Sequence, residues 1–216
     1  MSKIHIETVV SSPFEENCFV IHLPGQDHCL IVDPGLEPRK IVQLCQGKGW
    51  TPSMVLVTHA HVDHVGGIAA IKEQWPEVQI LLGEHEAEKL TDPDANLSAQ
   101  FGTPFLCPRA NETLSDGQVF TSAGIEIEVR ELPGHSSGHV VYVIHGIDPM
   151  VALVGDVIFS GSIGRADFPD SDEEALHKGI REKIYTLPDE TLLCPGHGPA
   201  TTVGHEKRTN PFVRGN

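Results

Sequence analysis

The sequence predicts an α/β fold with sheets inside and helices outside, on three observations. Short apolar runs of strand length recur from the first residues to Cys194. Helix-length amphipathic segments interrupt them in both halves of the chain. Turn-forming pairs such as Ser12-Pro13, Pro34-Gly35 and Gly66-Gly67 separate the elements. With 216 residues, 39% of them hydrophobic, the chain can bury a sizeable core. It shows no internal repeat and no low-complexity linker, so one domain spanning residues 1–216 is expected.

In order, residues 3–10, 17–23 and 28–33 read as strands. Residues 38–48 carry apolar positions 41, 42, 44 and 45 behind a proline, which suits a helix. The apolar run 54–58 suits a buried strand, 68–75 a helix and 78–82 another strand. Residues 84–101 suggest one or two helices, and 102–117, rich in Pro, Asn and Gly, a loop. Strands are expected at 118–121, 125–132, 139–145 and 150–155. A helix with acidic residues in its first turn follows at 172–187, then a last strand at 191–194 and a polar tail.

Composition excludes several function classes. Lys and Arg total 15 against 30 Asp and Glu, a formal charge of −15. Lys207-Arg208 is the one small basic run, so neither nucleic acid nor an anionic membrane is an expected partner. The N-terminal residues MSKIHIETVV alternate polar and apolar, unlike a signal peptide, and no apolar run is long enough to span a bilayer. Five scattered cysteines without a C-x-x-C pair read as reduced thiols, which favours a cytoplasmic location.

The stretch VTHAHVDHVGG at 57–67 sets His59, His61, Asp63 and His64 within six positions. Composition alone yields such a pattern in roughly 0.003 chains of this make-up. Single histidines are usually surface or satisfied core residues, and His5, His22, His28, His85, His145 and His177 stay in that class. Neither a regular helix nor a regular strand gathers all four cluster residues on one face. A tight loop leaving the strand at 54–58 and leading into the helix at 68–75 does. Neutral imidazole and carboxylate are ligands that zinc and iron accept, and four in one loop hint at two metals.

Three further candidates share one context: strand, glycine, ligand. LPGHSSGH gives His135 after the strand 125–132, ALVGDVIF gives Asp156, and LLCPGHGP gives His197 after the strand 191–194. The neighbouring glycines permit sharp turns and close backbone approach. Seven ligands with one bridging carboxylate supply each of two cations with four protein bonds. Asp156 is the natural bridge, because a carboxylate has two oxygens to offer.

H-A-H-V-D-H, then PGH, GD and PGHG, resembles the metallo-β-lactamase superfamily, and within it the glyoxalase II-like thioester hydrolases. The resemblance runs over nearly the whole chain and includes SPFEENCFVI at 12–21, IVDPG at 31–35, GDVIFSGSIGRADFP at 155–169 and GHGPATTVGHEKRTNPF at 196–212. The last two resemble the short bacterial type of glyoxalase II. The resemblance implies a four-layer αββα sandwich with the site at one edge between two sheets. It implies His59, His61 and His135 on one divalent cation, Asp63, His64 and His197 on a second, and Asp156 between them. It also brings Asp33 near the site, although a plain turn aspartate before Pro34-Gly35 reads equally well. Zinc is the first expectation for the metal, with iron or manganese as alternatives. Longer glyoxalase II enzymes carry a C-terminal helical extension that supplies glutathione contacts. About twenty residues follow His197, so that extension is expected to be missing. Arg165, Lys207, Arg208 and Asn210 are the residues that could contact substrate in its place.

The chemistry implied is hydrolysis of an acyl thioester such as S-lactoylglutathione, with a water whose pKa the metals lower to ~7 and which Asp63 orients. A small-molecule thioester is the expected partner. GRADF at 164–168 also looks like the corresponding loop of persulfide dioxygenases, which use a single iron and oxygen. A zinc β-lactamase fits less well, since many use cysteine where Asp156 stands. A flavo-diiron reductase fits less well because that group has glutamate where His61 stands. A metal-stabilised binding module without turnover would need a closed site, which this ligand count does not give.

Overall fold

The computed structural model describes residues 4–215. The predicted first strand begins at residue 3, which lies outside the described residues. Strands β1 (His5–Ser11), β2 (Glu16–His22) and β3 (His28–Val32) form an antiparallel meander. Helix α1 (Pro38–Lys48) crosses to β4 (Thr51–Val57), which lies parallel to β3. A helical turn, α2 (Val62–Val65), and helix α3 (Ile68–Gln74) lead to β5 (Gln79–Gly83). Two short 3-10 helices, Glu84–Thr91 and Ser98–Phe101, precede β6 (Glu112–Leu114), and the sheet order is β1-β2-β3-β4-β5-β6.

The second half contributes β7 (Val119–Ser122), β8 (Ile125–Glu131), β9 (Val140–Ile144) and β10 (Val151–Gly155). A small hairpin follows, β11 (Ile158–Phe159) with β12 (Ser162–Ile163). Helix α4 (Glu173–Gly179), capped by the Asp172 carboxylate accepting from the Ala175 N–H, continues into a π-helical turn, Ile180–Ile184. Then come β13 (Leu192–Pro195), β14 (Thr201–Thr202) and α5 (Val203–Thr209). This second sheet has the order β14-β13-β10-β9-β8-β7.

Strand alternation builds the four layers. Phe19, Ile21, Leu30, Val32, Leu56 and Leu81 of the first sheet face Val140, Tyr142, Ile144, Val151 and Leu153 of the second. Their strand neighbours point the other way. Val20, Ile31, Val55, Val57 and Ile80 pack on Ile41, Cys45, Ile68 and Ile71 of α1 and α3. On the far side Val141, Val143, Ala152, Val154 and Leu193 pack on Leu176, Ile180, Ile184 and Val203. Both central sheets are therefore apolar on both faces, which is why their strands read as continuous apolar runs. The αββα sandwich is the expected fold class.

Two helices, both of the 3-10 type, stand within residues 84–101, where one or two were expected. Three local expectations are corrected. The 102–117 segment is not all loop, because β6 extends the first sheet at Glu112–Leu114. The helix at 172–187 ends in the π-helical turn rather than running regular throughout. The polar tail contains β14 and α5, and Glu206 and Asn210 are buried there. All five cysteines are buried free thiols. Among the described residues no helix is long and apolar enough to cross a membrane.

Candidate metal centre

The site lies at one edge of the sandwich, past the C-terminal ends of four strands. Beyond β4 the chain leaves the first sheet carrying His59 and His61. It does not stay a loop through residue 64: the His64 and Val65 amides both donate to the His61 carbonyl, closing the turn α2. Asp63 and His64 therefore project from a helical turn, and His59 and His61 from the extended segment before it. In the second sheet β8 and β10 each pair antiparallel with β9, and β13 runs parallel to β10. Their C-terminal ends consequently share one side, where His135, Asp156 and His197 emerge.

All seven predicted ligands come together. His135 Nε2 lies 3.0 Å from His61 Nδ1. Asp156 Oδ2 lies 3.5 Å from both His135 Nε2 and His197 Nε2, and its Oδ1 is 3.4 Å from His64 Nε2. Asp63 Oδ2 is 3.3 Å from His197 Nε2. The donor atoms of His59, His61 and His135 lie within 4.8 Å of one another, as do those of Asp63, His64 and His197. Asp156 reaches toward both groups.

The hydrogen bonds around the cluster test whether these residues fit cations. A histidine coordinates through one nitrogen when the other is tied to an acceptor. His135 Nδ1 donates to the Arg165 carbonyl at 2.8 Å, and His197 Nδ1 to the Phe14 carbonyl at 3.0 Å. His64 Nδ1 donates to Asp33 Oδ2 at 3.1 Å. His59 Nδ1 meets Thr58 Oγ1 at 3.1 Å, a hydroxyl whose own proton goes to Asp33 Oδ2. These outer bonds fix the tautomer that leaves each Nε2 lone pair facing inward. The inward atoms His59 Nε2, His64 Nε2 and Asp156 Oδ1 are buried with no hydrogen-bond partner. Such orphaned acceptors are costly unless something positive sits among them. The cluster thus fits a binuclear metal site.

Without cations the two groups hold protons differently. Burial, followed by the nearby His135, pushes His61 down to about 3. Burial also drives His59 far down, with His64 and His61 adding to the effect. Burial pushes His197 the same way, but hydrogen bonds to the Asp156 and Asp63 carboxylates outweigh it and raise His197 to about 10. His64 likewise rises despite burial, through Asp156 and Asp63. His59 and His61 are therefore neutral imidazoles, while the second group is an ion-paired array that must release protons to take a metal.

A buried scaffold that the sequence did not single out holds the loops. Glu86 Oε2 accepts from the Ala60 N–H, between His59 and His61, at 2.8 Å. Its Oε1 accepts from the Ser136 hydroxyl and the Gly138 N–H, clamping the His135 loop to the same carboxylate. Lys89 bonds that Oε1 and continues to Asp170, tying down the 165–171 segment. His139, in the LPGHSSGH run but passed over there, is fully buried; its Nε2 accepts from the Asp156 N–H at 3.1 Å, and its ring stacks on His59. Asp33, expected with equal weight as a turn residue, both receives the Thr58 N–H and orients His64. Glu16, buried behind Asp63, has its carboxyl pushed well up by burial. Gly196 is required for close approach: a side chain there would collide with the Asp156 carboxylate and the His64 ring.

A pocket of about 390 Å³ opens above the cluster, with His61, Asp63, His135, Asp156 and His197 in its floor. Arg165 lines it, forked onto Asp167 at 2.6 and 2.7 Å. The other three predicted substrate contacts are not among its lining residues. Lys207 bonds the Tyr185 carbonyl, and Arg208 pairs with Asp189. Asn210 is buried, donating to the Ser162 carbonyl and to Glu206, which in turn accepts from Gly161 of the β11–β12 turn. These contacts brace the hairpin that forms one pocket wall.

An αββα sandwich with a His/Asp cluster between its sheet edges is the architecture of the metallo-hydrolase superfamily. The chain matches the metallo-beta-lactamase superfamily over residues 12–197 and belongs to it. It is 37% identical over 204 residues to the probable metallo-hydrolase YqgX of Bacillus subtilis, covering 94% of each chain. It is 36% identical over 215 residues to the hydroxyacylglutathione hydrolase GloC of Haemophilus influenzae, covering 97% of this chain and 98% of that one. Among solved structures, the BLEG-1 B3 metallo-beta-lactamase matches with a TM-score of 0.92 and 32% identity, over 98% of this chain and 100% of that one.

Proposed function

We propose that the protein is a binuclear metal-dependent hydrolase that cleaves acyl thioesters, with S-lactoylglutathione as the first substrate to test. The observation that carries this reading is the set of inward-facing, unpartnered donor atoms on the floor of an open pocket. His59, His61 and His135 would hold one cation, and Asp63, His64 and His197 the other, with Asp156 serving both. When bound, such a pair lowers the pKa of water to ~7 and polarises a carbonyl oxygen, with zinc, iron and manganese all suited to the donor set. The likeness to GloC supports glutathione as the thiol.

The chain's own residues do the remaining work. The carboxylate of Asp63 stands at the pocket floor beside His197, positioned to take a hydrogen bond from the attacking water and hold it. Apolar walls flank the floor, so a substrate seated between them displaces water and strengthens the charge interactions beneath it. The outer partners Asp33, Thr58 and the Arg165 and Phe14 carbonyls keep the imidazoles in one orientation through the reaction. Hydrolysis adds hydroxyl to the acyl carbon and breaks the carbon–sulfur bond, and the proton ends on the departing thiolate.

Metal analysis coupled to a thiol-release assay on S-lactoylglutathione tests the reading. About two cations per chain with metal-dependent thiol release is the expected result. Fully loaded protein that is inert on every glutathione thioester tried would remove the thioester assignment. One iron per chain with oxygen uptake would move the protein to the persulfide dioxygenase reading, which GRADF at 164–168 favours. The BLEG-1 likeness makes a β-lactam the second substrate for the same preparation.

A further inference from the structure

The pocket walls are aromatic on both sides of the floor. Phe14 and Phe101 meet edge to face with ring centroids 5.0 Å apart, and Phe159 lies 6.0 Å from the His197 ring. Opposite them Phe168 stands 4.9 Å from His61 and 5.5 Å from His135. Leu97 and Ile163 fill the lining between. Phe101 is 53% exposed at the rim, and an apolar ring left open beside a pocket gains by being covered.

Charge in the pocket points the same way. Among the described residues, and apart from the floor histidines, Arg165 is the one cationic side chain lining it. Its guanidinium is forked onto Asp167 in an exposed pair and lies 4.5 Å over the Phe168 ring, where it completes an aromatic wall. Among the described residues no lining cation lacks a carboxylate partner to offer the carboxylates of a charged thiol, whereas an apolar acyl group meets several rings. Edge-to-face and offset contacts with those rings favour a planar aromatic group over a short hydroxylated one.

Resting on the thioester reading above, we propose that this pocket selects substrate by the apolar surface of the acyl group. Thioesters of aromatic acids are then preferred to those of small hydroxy acids. A single methylene in an apolar pocket changes kcat/KM by about tenfold or more, so an aromatic acyl group should gain at least that.

The test holds the thiol constant. S-phenylacetylglutathione and S-lactoylglutathione are compared on the metal-loaded full chain, each kcat/KM divided by that ester's rate with hydroxide in buffer. Calorimetric binding of the inert thioethers S-benzylglutathione and S-methylglutathione supplies a readout without turnover. The expected result is a preference of about tenfold or more for the aromatic member of each pair. In Phe101→Ala the preference should fall toward one; this rim residue is exposed enough that its loss spares the core. Equal or better cleavage of the lactoyl ester overturns acyl selection and leaves thioester hydrolysis standing. Equal affinity for the two thioethers overturns it whatever the kinetics. If loaded protein cleaves no thioester, the reading beneath the inference fails and takes the inference with it.

Discussion

The two halves of the metal centre differ in how far they are withdrawn from water and in what they hold when no metal is present. His59, His61 and His135 are at most 3% exposed and contribute three imidazoles with no carboxylate of their own. Asp63 and His197 face the pocket, with side chains 16% and 27% exposed, and only His64 of that group is fully buried. A cation on three neutral nitrogens keeps more of its charge for a substrate oxygen than one that also faces a carboxylate. Under the proposed thioester hydrolysis, the more buried half would serve carbonyl activation, and the more open half would hold water and the departing thiolate. Asp156 is where the two halves join.

Breaking that joint has the largest expected effect. Asp156→Asn removes the charge shared by both groups while keeping the side chain's size. Metal content should fall from about two cations toward one or fewer, and kcat/KM by ~10³ or more, as expected when the charge that electrostatic catalysis depends on is lost. Metal analysis beside the thiol-release assay checks both. Retention of two tightly held cations would show that Asp156 is not the joint.

The two halves lean unequally on their supports, so they can be weakened unequally. Glu86 braces the His59–His61 segment and the His135 loop, whereas Asp33 orients His64 directly and His59 only through Thr58. Outer partners of metal ligands are typically worth 10- to 100-fold in affinity. Glu86→Gln should therefore loosen the first cation by about that factor and leave the second nearly level, whereas Asp33→Asn should loosen the second by that factor and the first, through Thr58, by less. Stepwise metal titration reads the two constants. If Glu86→Gln weakens the second step as much as the first, the division of ligands between the two cations is wrong.

The ligands were legible in the sequence and their supports were not, for a physical reason. Four ligands crowd six positions just past a strand end, the other three each follow a strand end beside a glycine, and histidine in those contexts has few other uses. Glu86 and Lys89 sit in EHEAEKL, within the helical segment expected over 84–101, and nothing in that run marks Glu86 as the residue the fold buries beneath the Ala60 amide. His139 lies four residues after His135, but only the turn between them reveals that it faces Asp156. Helix α5 was hidden because Glu206 and Asn210 are polar at core positions, paying their burial cost in bonds to Thr201, Gly161 and Ser162. A Thr202 cap accepting from the His205 N–H was the local sign of that helix. The layered fold was easier to read, since strands apolar on both faces leave little choice of architecture.

Acidity sharpens the contrast between the halves with the smallest expected change. His197, at about 10 without metal, is protonated at neutral pH, and His64 is raised in the same direction. A cation can bind them only as neutral imidazoles, so loading the open half releases protons. Its affinity should fall as pH drops below about 10, by roughly tenfold per pH unit for each proton released. His61, at about 3, and the still more depressed His59 are already neutral at pH 7 and have no proton to give. Metal titrations at pH 7 and 8 should therefore show the second binding constant rising about tenfold or more, and by more than the first. Calorimetry in buffers of different ionisation enthalpy counts the protons directly. Two constants that move together with pH would mean that the halves share one proton reservoir, and the division drawn from their burial would not hold.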